Sequence, residues 1–336
     1  MRLTGTMVIE VMKLLLPRDY IREATELINK ATRKVAFISM VLTDDESTDE
    51  LVEALAAAAK RGVEVQVAGD MFTYTELSGQ FIPSHYYSRR VRSTTRMART
   101  LANAGVEFRW LGRLNITTVS GRTHSKWCVI DDVVFSFGGV NLYEQALENV
   151  DYMFRVKNSE LAHKLAVEQR RIVLADKARY AYRSHTFVMN SKSTVLFDAG
   201  FFGDSIIYKR ACQLATDATH ITLVSQYCPT GKLNRLLRQT DTTLYFNHWQ
   251  KAKGFNRFVI RMGMFLTKLT TSYTRDNYLH AKCIIFTFPD GSKAAITGSH
   301  NFVNGGALLG TREVALETRD KKVIAELEEF IQTQVA

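Results

Sequence analysis

Apolar residues recur along this chain with two alternating periods, and the alternation predicts strands and helices in turn. Ile21, Ala24, Leu27 and Ile28 fall at helical spacing behind Asp19, a residue type that caps helix N-termini. Val35 to Leu42 (VAFISMVL) is a continuous apolar run of strand length. Ser47 and Glu50 match a capping box opening a helix through Lys60, which Gly62 ends. Val63 to Val67 (VEVQV) then alternates as a second strand, closing at Asp70. Strand–helix–strand order predicts a parallel or mixed sheet with helices packed on it.

The second half repeats the plan more loosely. Ile206 to Ala215 reads as a helix, and His220 to Ser225 (HITLVS) as a strand resembling Val35 to Ser39. Lys232 to Arg238 is the next helix and Thr243 to Phe246 the next strand, while Glu160 to Arg183 reads as a helix and a connection. The expectation is an α/β protein of two similar lobes, residues 1–184 and 185–336, each a mixed sheet flanked by helices.

Composition changes this picture in three respects. With 336 residues, 46% hydrophobic and 23% charged, the chain has the balance of a folded protein and not of a disordered one. Its net charge of +10 points to an anionic partner: nucleic acid, an acidic lipid surface or a phosphorylated substrate. Cys128, Cys212, Cys228 and Cys283 show no CxxC pair and no zinc-like spacing, so reduced, buried thiols are expected, which fits the cytoplasm. No apolar stretch reaches the ~18–20 residues of a spanning helix. The run from Val8 to Leu16 is broken by Glu10 and Lys13, so no signal peptide is expected either.

Candidate chemistry lies in two histidine motifs. His124-Ser125-Lys126 is followed by Asp131 and by Gly138-Gly139-Val140-Asn141; His280-Ala281-Lys282 is followed by Gly298-Ser299-His300-Asn301. Each HxK opens an apolar run, WCVI or CIIF, that reads as a strand. Residues i and i+2 of a strand share a face, so each histidine projects with its lysine. The glycines permit a tight turn beside them, and an asparagine amide can donate to a phosphate oxygen. One HxK arises easily by accident; two copies, each with a downstream Gly-x-x-Asn, do not.

The residue types suit phosphodiester chemistry. A neutral imidazole can attack phosphorus, and a second histidine can protonate the leaving alcohol and then activate water or an alcohol. Lys126 and Lys282 would offset the phosphate charge, with Asn141, Ser299 and Asn301 donating to its non-bridging oxygens. Two histidines of ordinary pKa, about 6.5, are expected in opposite protonation states near neutrality. No step calls for a metal or cofactor.

These residues resemble the phospholipase D superfamily, whose mark is HxK-x4-D-x6-GSxN in two copies. The first copy is in register at His124, Lys126, Asp131, Gly138 and Asn141, with Gly139 at the family's Ser position. The second keeps His280, Lys282, Gly298, Ser299 and Asn301 but has Thr287 at the Asp position; its four extra residues lie at the Pro289-Asp290-Gly291 turn. The resemblance implies a pseudo-dimer of two phospholipase D-like lobes with one active site between them. It implies His124 as nucleophile and His280 as acid/base, with Asp131 in the catalytic set. It also implies an orienting acid downstream of each motif's Asn: Asp151 for His124 and Glu313 for His280. His300 is expected to be a spacer, and His85, His163, His185, His220 and His248 structural or exposed.

Two basic stretches bear on the substrate. Trp249 to Lys268 interleaves Lys251, Lys253, Arg257, Arg261 and Lys268 with Phe255, Phe258, Met262, Met264 and Phe265; it suits an anionic membrane face or a core element with solvated cations. Arg89, Arg90, Arg92, Arg96, Arg99, Arg109 and Arg113, near Phe81, Tyr86 and Tyr87, suit lipid headgroups or a nucleic-acid backbone. The text SHNFVNGGALLGTREVALETRD and the SQYCP at Ser225 resemble the cardiolipin synthase branch. That resemblance implies phosphatidyl transfer from an anionic glycerophospholipid to an alcohol or water, by a cytoplasmic protein peripheral to the inner membrane face. The alternative is a phospholipase D-family endonuclease acting on DNA or RNA.

Overall fold

The computed structural model describes residues 12–73, 89–112, 122–252, 254–305 and 310–336, and contains two mixed seven-stranded sheets. The first is built from β1 (Lys13–Leu15), β2 (Lys34–Ser39), β3 (Glu64–Asp70), β4 (Glu107–Leu111), β5 (Trp127–Ile130), β6 (Val133–Ser136) and β7 (Met153–Lys157), in the order β1-β7-β6-β5-β2-β3-β4. The second uses β8 (His185–Asn190), β9 (Ser193–Ala199), β10 (His220–Val224), β11 (Asp241–Tyr245), β12 (Cys283–Thr287), β13 (Lys293–Gly298) and β14 (Arg312–Thr318), in the order β11-β10-β12-β13-β14-β9-β8. Read from the other edge, β9-β14-β13-β12-β10-β11 repeats β1-β7-β6-β5-β2-β3. In both sheets the β-α-β pair is parallel and the HxK strand beside it antiparallel; in the first sheet β4 extends the parallel run. The duplicated α/β plan is therefore present, with one extra edge strand on each sheet.

The helices are α1 (Pro17–Lys30), α2 (Asp49–Lys60), α3 (Arg89–Asn103), α4 (Glu144–Leu147), α5 (Ser159–Ala178), α6 (Ile206–Asp217), α7 (Lys232–Leu237), α8 (Gly254–Thr267) and α9 (Lys321–Phe330). Two starts differ from expectation. Pro17 occupies the first turn of α1, where its missing N–H is no loss, and Asp19 lies inside the helix. Thr48 precedes α2; the Ser47 hydroxyl is engaged by Asp45 at 2.6 Å and is not the cap.

The apolar strands are buried on both faces, which is why they read as continuous runs. In β5, Trp127 and Val129 enter a core between the two sheets, while Cys128 and Ile130 face α1 and α2. In β12, Cys283 and Ile285 enter the same central core, and Ile284 and Phe286 pack towards α6 and α7. Tyr152, Phe154, Phe197, Leu316 and Phe330 complete that shared core, so the two halves bury one continuous apolar surface. Full burial of each such large side chain stabilises by ~1.5–3 kcal/mol. All four cysteines are unpaired and buried.

Candidate active site

The two HxK segments meet where the lobes exchange backbone hydrogen bonds. Each triplet lies just before its strand, β5 or β12, and not inside it. Thr123 bridges Arg312 across the lobes, and Leu279 bridges Val150. The His124 N–H donates to the Arg312 carbonyl at 2.8 Å, and the His280 N–H donates to the Val150 carbonyl at 3.0 Å. Each bridge stops one residue short of an acid belonging to the other lobe.

That register decides the partners. His124 Nδ1 lies 2.9 Å from Glu313 Oε2, and His280 Nδ1 lies 2.7 Å from Asp151 Oδ2. The expected pairing, Asp151 with His124 and Glu313 with His280, is thus corrected to a crossed one. Both acids belong to the site, each serving the histidine of the opposite lobe. Asp151 also accepts the N–H groups of Tyr152 at 2.8 Å and Gly139 at 3.1 Å. Glu313 accepts the Ser299 hydroxyl. Gly139 replaces a serine here, so the Asp151 side receives a backbone N–H where the Glu313 side receives a hydroxyl.

Burial and charge set the protonation states. Burial opposes ionisation of Glu313, but the charge and hydrogen bond of His124 hold it down at about 2. Burial likewise opposes ionisation of Asp151, and the His280 hydrogen bond and charge keep it below its usual value. His280 is pushed down to about 3, by burial first and then by the Lys282 charge. His124 is lowered by burial first, against Glu313, with Lys126 and Lys282 adding to the lowering. Burial thus shifts both imidazoles in the same direction, toward the neutral form, where opposite protonation states were expected. An ionised acid at Nδ1 selects the Nδ1–H tautomer and leaves a lone pair at Nε2 of each ring.

The lysines complete this electrostatic balance from inside the protein. Lys126 and Lys282 are 1% and 0% exposed. Lys126 Nζ donates to the His124 carbonyl at 3.1 Å; Lys282 Nζ donates to the His280 carbonyl and lies 3.3 Å from both His280 ring nitrogens. Among the described residues neither ammonium has a carboxylate at ion-pair distance. Burial accordingly lowers Lys126 to about 8 and Lys282 to about 7. Two buried ammoniums with no carboxylate in direct contact, though Glu313 and Asp151 are near enough to favour their charged forms, make a site that can receive an anion.

The turn residues are fixed by steric demand. A Cβ on Gly138 would lie 1.8 Å from the Tyr152 carbonyl oxygen, and one on Gly298 would lie 2.2 Å from that of Val314. The acid-bearing segment thus passes directly against each motif glycine. Ser299 is buried. The side-chain oxygens of Asn141 and Asn301 are buried without a hydrogen-bond partner, two acceptors left unsatisfied beside the site.

Asp131 is not in this constellation. At the far end of β5 its carboxylate accepts the N–H groups of Thr32 at 3.1 Å and of Arg33 and Lys34 at 2.9 Å. It clamps the entry to β2 and is structural. Its counterpart Thr287 can hold the second lobe with backbone alone, accepting from the Thr219 N–H at 2.8 Å. His300 is buried, with Nδ1 accepting from the Phe302 N–H at 2.8 Å. His220 pairs with Asp241 and His185 with Glu168, while His163 is exposed. His85, Phe81, Tyr86, Tyr87, Lys253 and Arg113 lie outside the described residues, as do the side chains of Arg89, Arg90 and Phe255. Arg92, Arg96 and Arg99 form the solvent face of α3.

Two supporting features carried no motif. Buried Asp70 accepts Arg122 at 3.2 Å and the Thr123 N–H at 2.8 Å, fixing the segment that delivers His124. Buried Tyr152 bonds Thr297, whose hydroxyl donates to the Phe137 carbonyl at 2.7 Å, tying the lobes together beneath the site. Asp70 was visible only as the end of a strand, and nothing in the sequence separated Tyr152 from an ordinary core aromatic. Among the described residues no group of three or more His, Cys, Asp or Glu is placed to hold a metal ion.

Residues 24–173 match the family described as cardiolipin synthase, PLD-like domain. Cardiolipin synthase B of Salmonella typhimurium and that of Salmonella typhi are each 28% identical over 173 residues, 48% of this chain and 38% of theirs. The matched segment thus spans well under half of those relatives. Phosphatidylserine synthase from Haemophilus influenzae superposes with a TM-score of 0.67 over 97% of this chain and 86% of its own, at 12% identity. Polyphosphate kinase from Porphyromonas gingivalis gives 0.61 over 96% of this chain and 50% of its own, also at 12% identity. At such identities the superpositions speak for the fold.

Proposed function

We propose, for this phospholipase D-like protein, phosphatidyl transfer on glycerophospholipids through a phosphohistidine, with no metal in the reaction. The observation that carries this reading is the crossed pair of imidazole–carboxylate dyads beside two buried ammoniums. The Glu313 carboxylate holds Nδ1–H of His124, and His124 Nε2 attacks phosphorus. A P–N bond forms as the P–O bond to the leaving alcohol breaks. His280, oriented by Asp151, takes up a solvent proton at Nε2 as the phosphodiester binds, gives it to that alcohol and later takes one from the incoming alcohol or water, which displaces His124.

The resting pKa order does not oppose this scheme. A bound phosphodiester brings one negative charge into the buried site, and that charge favours the protonated forms of His280, Lys126 and Lys282 together. The lysines, Asn141, Ser299 and Asn301 take the charge-stabilising role on the non-bridging oxygens. The two lobes divide in the link between α5 and β8, near residue 185. The likeness to cardiolipin synthases and to a phosphatidylserine synthase favours a lipid donor, and action at the inner membrane face follows from that choice.

Incubation with phosphatidylglycerol vesicles and, separately, with single-stranded DNA, both in EDTA, tests the reading. New lipid products are expected, and His280→Asn should accumulate phosphate label on His124. Cleaved DNA with untouched lipid would replace it by the endonuclease reading. Label on His280 in His124→Asn would reverse the two histidines.

A further inference from the structure

We infer that α8 is a membrane-docking element that lays its outer face on an anionic lipid bilayer and brings the active-site edge to the lipid surface; the inference rests on the lipid-substrate reading. The helix has two apolar stripes on opposite sides. Ile260 and Thr267 are buried, with Asn256, Gly263 and Met264 half-buried beside them. Phe258, Met262, Phe265 and Leu266 project the other way, and are 62%, 39%, 75% and 69% exposed. Spaced at i, i+4, i+7 and i+8, these four form one continuous outward face. A helix that only capped the sheet would carry polar residues there.

Charge chooses the occupant. Residues 242–275 contain six Lys or Arg and no Asp or Glu. Arg257 and Arg261 lie on one flank of the apolar stripe, with their guanidiniums 5.1 and 5.2 Å from the Trp249 ring. Lys268 follows the last turn. An apolar face edged by cations and lacking acids matches an anionic bilayer, where side chains enter the acyl boundary and cations meet headgroups. A second copy of this helix would set like charges against each other, and a nucleic acid would leave the apolar stripe wet.

Position links docking to chemistry. The C-terminal ends of β10 and β11 lie at the same edge as the N-terminal end of β12, where Val224 pairs with Cys283 and with Tyr245. The connection carrying α8 leaves from that edge. Tyr227 donates to Asn256 of α8 at 2.7 Å, and its neighbour Ser225 donates to the Asn301 carbonyl at 2.9 Å. Asn247 bonds the Leu279 carbonyl and N–H, directly before His280. Phe202, exposed beyond the end of β9, lies on the same edge, because Ala199 pairs with Arg312 beside Glu313.

Co-sedimentation tests the assignment with vesicles of equal parts phosphatidylglycerol and phosphatidylcholine, against phosphatidylcholine alone. The whole chain should bind the anionic vesicles at least tenfold more tightly. Phe258→Ser/Phe265→Ser/Leu266→Ser should lose at least tenfold of that binding at an unchanged melting temperature. A polarity-sensitive dye on Leu266→Cys, the native thiols being buried, should shift to the blue on vesicle addition. Undiminished vesicle binding by the triple variant, no dye shift, or an equal loss of binding to single-stranded DNA would each overturn the inference. Binding is read without turnover, so a chain that docks and transforms no lipid keeps this inference and ends the phosphatidyl-transfer reading.

Discussion

Asp151→Asn and Glu313→Gln, compared on one substrate, test the crossed dyads directly. Asp151 accepts three hydrogen bonds, one of them from His280 Nδ1 at 2.7 Å. An amide keeps the shape but removes the charge and turns a donor toward one of those N–H groups. A charge-assisted bond contributes about 1.5–3 kcal/mol, and a buried donor left unmatched costs about 1–3 kcal/mol more. A combined loss of roughly 3–5 kcal/mol in the acid/base steps corresponds to a rate loss of roughly a hundredfold to ten-thousandfold. The assay is release of nitrophenolate from a bis-nitrophenyl phosphodiester, a leaving group that departs without a proton. Asp151→Asn, which impairs His280, should then form the phosphoenzyme quickly and stall. It should show a burst of about one nitrophenolate per chain, followed by slow turnover. Glu313→Gln impairs the attacking His124 and should show no burst at a similarly reduced steady rate. A burst from Glu313→Gln and none from Asp151→Asn would refute the crossed assignment of roles.

Other consequences are as accessible. Asp131→Ala removes the clamp on Thr32, Arg33 and Lys34 and should cost about 1–3 kcal/mol in chemical denaturation, with phosphoenzyme formation at 25 °C unchanged. Gly298→Ala would set a methyl 2.2 Å from the Val314 carbonyl oxygen; the variant should lose about 3 kcal/mol of stability and most of its activity. Stability should fall as pH drops below the ordinary histidine value. His280 stays neutral down to about 3 while the unfolded chain takes up that proton near 6.5, so the folded state loses ground across that interval. Glu313, held at about 2, extends the loss downward from its ordinary value of 4.5. Above neutrality the trend keeps the same sign. Lys282 sheds its proton at about 7 when folded and near 10.5 when unfolded, so stability should rise with pH while affinity for a phosphodiester falls. Urea titrations at several pH values, with inorganic phosphate as a competitor of turnover, read both trends.

Local pattern determined much of this protein. The runs WCVI and CIIF became β5 and β12 because both of their faces are buried, and the repeated strand–helix–strand order became two sheets of like topology. The motif glycines lie where a neighbouring segment allows no Cβ, and the two histidines, the two lysines and Ser299 gather at one edge. What the chain order could not decide was anything set by contact between lobes. Asp151 is nearer in sequence to His124, yet the Val150–Leu279 and Thr123–Arg312 bridges carry each acid to the other lobe's histidine. Asp131 keeps the family's spacing, but a strand length separates it from His124, so it meets backbone and not substrate. The common shift of both imidazoles toward the neutral form also escaped a residue-by-residue reading, because desolvation belongs to the assembled interior and to no single side chain. For α8 the sequence supplied apolar and basic residues together. Only packing showed which apolar stripe the core takes and which it leaves to the solvent side.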